Sequence, residues 1–175
     1  MGDPYSSKGR GGAGEAEVSD MRLTGPLVAS VDDELERLAK LALQLIDGHW
    51  EFVRTTDRAK TDWNDKSRLQ IRLRQYDGGA FALEWTEVKW GGSKVKGDRQ
   101  RIFGYIPTLK DSYGYSNAKL QRLARDWEVE AVLQLEKKLA AIRKTASYLH
   151  KAKANLGYAN TAFLALERME VQENG

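Results

Sequence analysis

The chain has 175 residues, of which 41% are hydrophobic and 30% charged, a mix that suits one folded domain and a tail. It holds no cysteine and two histidines, His49 and His150, which excludes a disulfide framework, a thiolate metal site and a three-histidine metal cluster. The net charge of +3 hides an asymmetry: residues 1–65 hold 8 Lys+Arg against 13 Asp+Glu, and residues 66–175 hold 20 against 12. From Lys66 to Lys110 there are 10 basic and 4 acidic residues, and from Lys137 to Lys153 there are 6 basic residues and no acidic one. Clustered positive charge is the electrostatic footprint of a polyanion partner. No apolar run approaches the roughly 18 to 20 residues that span a bilayer. The N-terminus lacks the apolar stretch of a secretory signal, so the expected compartment is the cytoplasm and no membrane contact is expected.

Residues 1–25 read as a flexible tail, with Gly9, Gly11, Gly12 and Gly14 among Ser6, Ser7 and Pro4. A first helix is predicted from about Val31 to Thr56. Ser30 is its expected N-cap, with Asp32, Asp33 and Glu34 in a first turn that favours anions. Leu35, Leu38, Ala42, Leu45, His49 and Phe52 recur at helical spacing, and Leu41, Ile46 and Val53 widen that stripe. His49 lies on the apolar face beside Trp50 and reads as a packing residue rather than a catalytic base.

The period then changes. Leu69, Ile71 and Leu73 alternate with Arg68, Gln70, Arg72 and Arg74, which predicts a half-buried strand with one basic face. Asp77-Gly78-Gly79 signals a hairpin. A second strand runs from Ala80 to about Trp90, with Phe81, Leu83 and Trp85 on one face. Val88 and Trp90 break that alternation and predict a bulge or twist near Glu87. The loop Gly91–Asp98 is glycine-rich and basic but lacks the spacing of a phosphate-binding P-loop. A third strand is expected at Arg101–Ile106, ended by Pro107, completing an antiparallel meander. A last long helix is predicted from Ser116 or Asn117 to about Lys153, with Leu120, Leu123, Ala124, Trp127, Ala131, Leu135, Leu139, Ile142, Ala146 and Leu149 as its apolar stripe. Asn155 and Gly157 are the expected stop, followed by a short terminal helix that folds back. The predicted division is a tail over 1–25, one α+β domain over 26–156, and a terminal helix and tail over 157–175.

Acid–base catalysis needs two facing carboxylates, and nothing in the spacing pairs Glu84, Glu128 or Glu136. They read as salt-bridge partners of the abundant arginines. Tyr113 and Tyr115, flanking Gly114, read as packing or base-stacking residues rather than as a nucleophile. The pattern that carries chemistry is basic strand residues with interleaved aromatics. Arg68, Arg72, Arg74, Lys89, Trp90, Lys94, Lys96, Arg99, Arg101 and Lys110 are the candidate nucleic-acid contacts. Lysine and arginine neutralise phosphates, and exposed aromatics stack on unpaired bases. Lys137, Lys138, Arg143, Lys144, Lys151 and Lys153 form a second candidate patch along the long helix. No cofactor or metal is expected.

Phe81-Ala82-Leu83-Glu84-Trp85 with Trp90 downstream, the linker Ile106…Lys110…Tyr113-Gly114-Tyr115, and the run Leu123-Ala124-Arg125-Asp126-Trp127-Glu128…Glu136…Ala141-Ile142-Arg143-Lys144 together resemble the MobI-type conjugative transfer proteins. The resemblance covers about residues 68–150 and departs at Thr86-Glu87, where that family's pattern suggests a tyrosine–arginine pair. It implies an accessory protein of mobile-element transfer, acting at the origin of transfer to help a relaxase start mobilisation, and does not imply an enzyme; with the basic surface, the leading reading is a non-enzymatic DNA-binding accessory factor. The alternative reading is a protein–protein adaptor whose long helix dimerises or docks on a partner. A nuclease or relaxase-like enzyme is a weaker third reading.

Overall fold

The computed structural model describes residues 24–93, 95–110 and 112–173. Residues 1–23 of the predicted tail and Lys94 lie outside them, whereas Thr24 and Gly25, the tail's last two residues, begin the first helix. Helix α1 (Gly25–Arg58) leads into strands β1 (Leu69–Gln75), β2 (Phe81–Gly91) and β3 (Gln100–Tyr105), then a short helix α2 (Asn117–Leu123) and a long helix α3 (Val129–Glu173). The strands form one antiparallel sheet in the order β1-β2-β3. This is the α+β architecture that the sequence predicts.

Helix α1 starts earlier than predicted. Thr24 is its N-cap residue and a proline stands in its first turn, where the missing N–H costs nothing. Ser30 is therefore inside the helix, its hydroxyl donating to the Pro26 carbonyl at 3.0 Å. The buried stripe is Leu35, Leu38, Ala42, Ile46, His49 and Val53. Leu41 and Phe52 instead face solvent.

Among the described residues the sheet carries no bulge. Register runs without a slip from Leu69↔Glu87 to Gln75↔Phe81 and from Thr86↔Tyr105 to Gly91↔Gln100. Leu69, Ile71, Leu73, Leu83 and Trp85 therefore share one face. Val88 and Trp90 lie on the other, together with Phe103 and Tyr105. The apolar residues change sides along β2; the backbone does not. Helices α1 and α3 both pack on the first face. Trp50 Nε1 donates to the Ile71 carbonyl at 3.3 Å, and Trp85 Nε1 donates to Glu136 Oε2 at 2.8 Å. Trp85 is fully buried among Leu35, Ile71, Leu120, Val132 and Leu139. Burying a side chain of this kind is worth roughly 2–3 kcal/mol.

The predicted single helix from Ser116 is two helices. The Ser116 hydroxyl accepts from Lys119 N at 3.3 Å, as a cap does, but α2 ends at Ala124 with extended backbone (ψ 157°). The chain then restarts. Glu128 Oε1 accepts from Arg125 N at 2.9 Å, and Val129 N donates to the Arg125 carbonyl at 3.1 Å. A glutamate reaching back three residues in this way is one half of a capping box. Trp127 Nε1 and Arg125 Nε tie the restart to the Asp65 and Lys66 carbonyls at 2.8 and 3.0 Å. The expected stop at Asn155 and Gly157 does not occur. Helix α3 runs on to Glu173, 45 residues or about 68 Å, and the terminal segment extends it instead of folding back. An added Cβ at Gly157 would meet nothing within 4 Å, so this glycine is an exposed helix-interior residue.

Candidate nucleic-acid interface

The helix-free face of the sheet has three rows. Arg68, Gln70, Arg72 and Arg74 come from the β1 side, Ala82, Glu84, Thr86, Val88 and Trp90 from β2, and Arg101, Phe103 and Tyr105 from β3. The rows are not equivalent. Glu84 accepts from Arg72 at 2.9 Å and lies 3.6 Å from Arg74, so the β1 arginines near it already have an anionic partner. Arg74 also lies over the Tyr76 ring at 5.5 Å.

Cations gather at the opposite end of the sheet. A cavity of about 720 Å³ is lined by Trp50, Val53, Asp57, Lys66, Arg68, Lys89, Trp90, Arg99 and Arg101, among others. The Arg99 and Arg101 guanidinium groups lie 4.9 and 5.4 Å from the centre of the Trp90 ring. Trp90 is 36% exposed. Cation–π contact of this kind holds both guanidinium groups beside the ring. Lys89 is 3.0 Å from Glu87, an exposed pair of small energetic weight.

Of the predicted contacts, then, Arg68, Lys89, Trp90, Arg99 and Arg101 come together around one cavity. Arg72 and Arg74 belong to the same face but sit on Glu84. Lys96 and Lys110 are exposed in loops and do not line this cavity. Two residues that the sequence reading passed over complete the face: Phe103, 49% exposed, and Tyr105, 71% exposed. Their alternation with Ile102 and Gly104 is visible in the sequence, but their exposure is not, and Ile102 on the opposite side of β3 is itself 48% exposed.

The second patch is divided. Lys137, Lys138 and Lys144 are exposed on α3. Lys153 reaches Asp32 of α1 at 2.6 Å and joins the two helices. Arg143 is part of the interior. It is half-buried, with NH1 and NH2 donating to the two Glu136 oxygens at 2.9 and 3.1 Å, Nε to the Leu83 carbonyl at 3.1 Å and NH1 to the Tyr113 carbonyl at 3.0 Å. The sequence counted it as a surface cation because helical spacing alone does not reveal a buried glutamate seven residues upstream. Lys151 lines a second, mostly apolar cavity of about 610 Å³ with Phe81, Ala82, Tyr105, Thr108, Arg143 and His150.

The three carboxylates considered for catalysis have partners. Glu84 and Glu136 are bound to arginines, as the sequence suggests. Glu128 is buried, and burial, with the Asp57 charge adding, raises its carboxyl above the usual carboxylate range. Tyr115 is buried, and its hydroxyl oxygen accepts from Trp85 N at 3.3 Å. Tyr113 rests against Tyr148, 6.2 Å between ring centres. His49 stands edge-on to Trp85 at 5.7 Å, and burial lowers its pKa to about 4, so it is neutral at pH 7. Among the described residues, no helix is long and apolar enough to cross a membrane.

Fold and surface define a small α+β protein whose sheet is backed by helices on one side and presents arginine and aromatic residues on the other, with Lys89 at the edge of the cavity. Its sequence matches the MobI protein family model over residues 38–157, more than two thirds of the chain, and the chain belongs to that family. No curated protein and no solved structure matches it. MobI proteins are an accessory mobilisation family and not a known enzyme family, and this chain is a mobilisation-related accessory protein.

Proposed function

We propose that the protein binds DNA at the origin of transfer of a mobile element and assists a relaxase in starting conjugative mobilisation in the cytoplasm, without catalysis of its own. One observation carries the DNA-binding part: Arg68, Lys89, Arg99 and Arg101 converge on one cavity around Trp90. Membership of the MobI family supports the rest. Fixed guanidinium and ammonium groups around an open cavity suit phosphate oxygens, and their contact with DNA releases counterions.

Fluorescence anisotropy with labelled DNA across a salt series tests this reading. The expected result is binding that weakens steeply with salt. The variant with Arg68, Lys89, Arg99 and Arg101 all changed to alanine should lose about 3 to 4 from the logarithmic salt slope, near 0.9 for each phosphate contact. No binding at low salt would refute the proposal. An unchanged slope in the quadruple variant would remove this cavity from it. The adaptor reading has one observation of its own: Tyr158, Leu166, Met169 and Val171 are exposed on the last turns of α3. A strictly monomeric mass by light scattering would exclude its dimeric form.

A further inference from the structure

Four residues on β3 and its flanks form a continuous line. Arg101 faces Trp90 across the strands, Phe103 follows two residues on, and Tyr105 two residues beyond that. Residues two apart on a strand are about 6.8 Å apart and point to the same side. The line runs from the cationic cavity around Trp90 to the second cavity, where Tyr105 and Lys151 are both lining residues. This side of β3 thus bears an arginine and two aromatic rings in succession, and Lys151 of α3 lines the cavity at its far end. Phe103 and Tyr105 grow more exposed along it, at 49% and 71%.

From this arrangement we infer that the sheet face takes an unpaired DNA strand, its bases stacked on Phe103 and Tyr105 and its phosphates held by Arg99 and Arg101 at one end and Lys151 at the other. The inference rests on the DNA-binding reading above and specifies its substrate. Paired bases in a duplex are stacked on each other and offer an aromatic side chain only their edges, whereas an unpaired base offers its flat side. Rings on the open face of a sheet, away from any hairpin tip, suit such bases. The Trp90 ring already carries the Arg99 and Arg101 guanidinium groups, so its part is to hold those cations. The path follows β3 rather than β1 because Glu84, bound by Arg72 and Arg74, places a carboxylate on the β1 side.

The test compares full-length protein on a labelled single strand of about 12 nucleotides and on a hairpin duplex of similar length, with unlabelled competitors of both kinds. The single strand should bind at least tenfold tighter. Phe103→Leu with Tyr105→Leu removes both rings and keeps apolar bulk. It should weaken single-strand binding by about 30-fold or more and leave duplex binding within about twofold. Phe103→Tyr with Tyr105→Phe keeps both rings and should retain the preference. A urea midpoint equal to that of the parent protein shows that the leucine variant is folded. Equal affinity for both forms, or a leucine variant that keeps the preference, would overturn the inference while DNA binding stands. Failure to bind either form would overturn both.

Discussion

Glu136 is the point at which strand β2, the loop before α2 and helix α3 meet. Its carboxylate accepts from Trp85 Nε1, Tyr115 N and both terminal nitrogens of Arg143. The loop approaches so closely that a Cβ on Gly114 would stand 3.3 Å from Glu136 Oε1. Removing one member of a buried, hydrogen-bonded ion pair leaves the other charge uncompensated, at a cost of about 3–5 kcal/mol. Arg143→Met should therefore lower the free energy of unfolding measured in urea by that amount, and pairing it with Glu136→Leu should restore much of the loss. A single variant within about 1 kcal/mol of the parent would contradict this account. His49 carries a second prediction. In the unfolded chain its imidazole takes up a proton near pH 6.5, and in the folded chain only near 4. Between those values the unfolded state binds more protons, so stability falls as the pH drops through this window, by up to about 3 kcal/mol. Glu128, raised in the folded state, acts in the opposite direction, but does so equally in His49→Gln. Unfolding of the parent and of His49→Gln at pH 7 and pH 4.5 isolates the imidazole, and the variant should lose less stability on acidification. Trp85 and His49 were legible as core residues because each falls on a periodic apolar face. Glu136 was legible only as an arginine partner, and that this partner is Arg143 depends on tertiary contact.

Helix α3 owes its start to Glu128 and Trp127, and this local chemistry hid from a reading by periodicity. The apolar spacing from Leu120 to Leu149 continues across the break, so spacing alone predicts one helix. Arg125 is not a residue type that announces an N-cap. The signal was the glutamate three residues on, which accepts the Arg125 N–H. Glu128→Ala should cost about 1–2 kcal/mol, whereas Glu128→Gln, whose side-chain oxygen can still accept that N–H, should retain most of the stability. Equal losses in the two variants would assign the effect to the buried charge and not to the cap. The far end misled in the opposite way. Asn155 and Gly157 are stop residues by type, yet α3 runs through them. Gly157→Ala, with open space at the added Cβ, should make the distal turns more helical, by up to about 1 kcal/mol locally, and slow their amide exchange. The strands fared better, because alternation and the Asp77–Gly79 turn fixed β1 and β2 to within a residue or so. The expected bulge was a change of apolar side misread as a change of register.

Charge at the scale of the whole molecule separates into two surfaces. The sheet face and its cavity hold Arg68, Lys89, Arg99 and Arg101, while Lys137, Lys138 and Lys144 project from α3, which packs on the other face of the sheet. Sequence position gave both clusters but not their placement, since only the fold decides which side of a three-stranded sheet its helices occupy. A short DNA ligand that spans the sheet face from the Trp90 cavity to Lys151 ends there, and Lys144, Lys138 and Lys137 lie about 10 Å or more further back along α3. Changing Lys137, Lys138 and Lys144 to alanine should therefore leave binding of an oligonucleotide of about 12 nucleotides unchanged, together with its salt slope, whereas the four substitutions at the Trp90 cavity flatten that slope. On DNA of several tens of base pairs the helix lysines gain a role only if the duplex continues along α3, and the slope then steepens with length by about 0.9 for each added contact. A slope that the lysine variant lowers even on the short ligand would place the primary contact on α3. It would move the interface from the sheet to the helix.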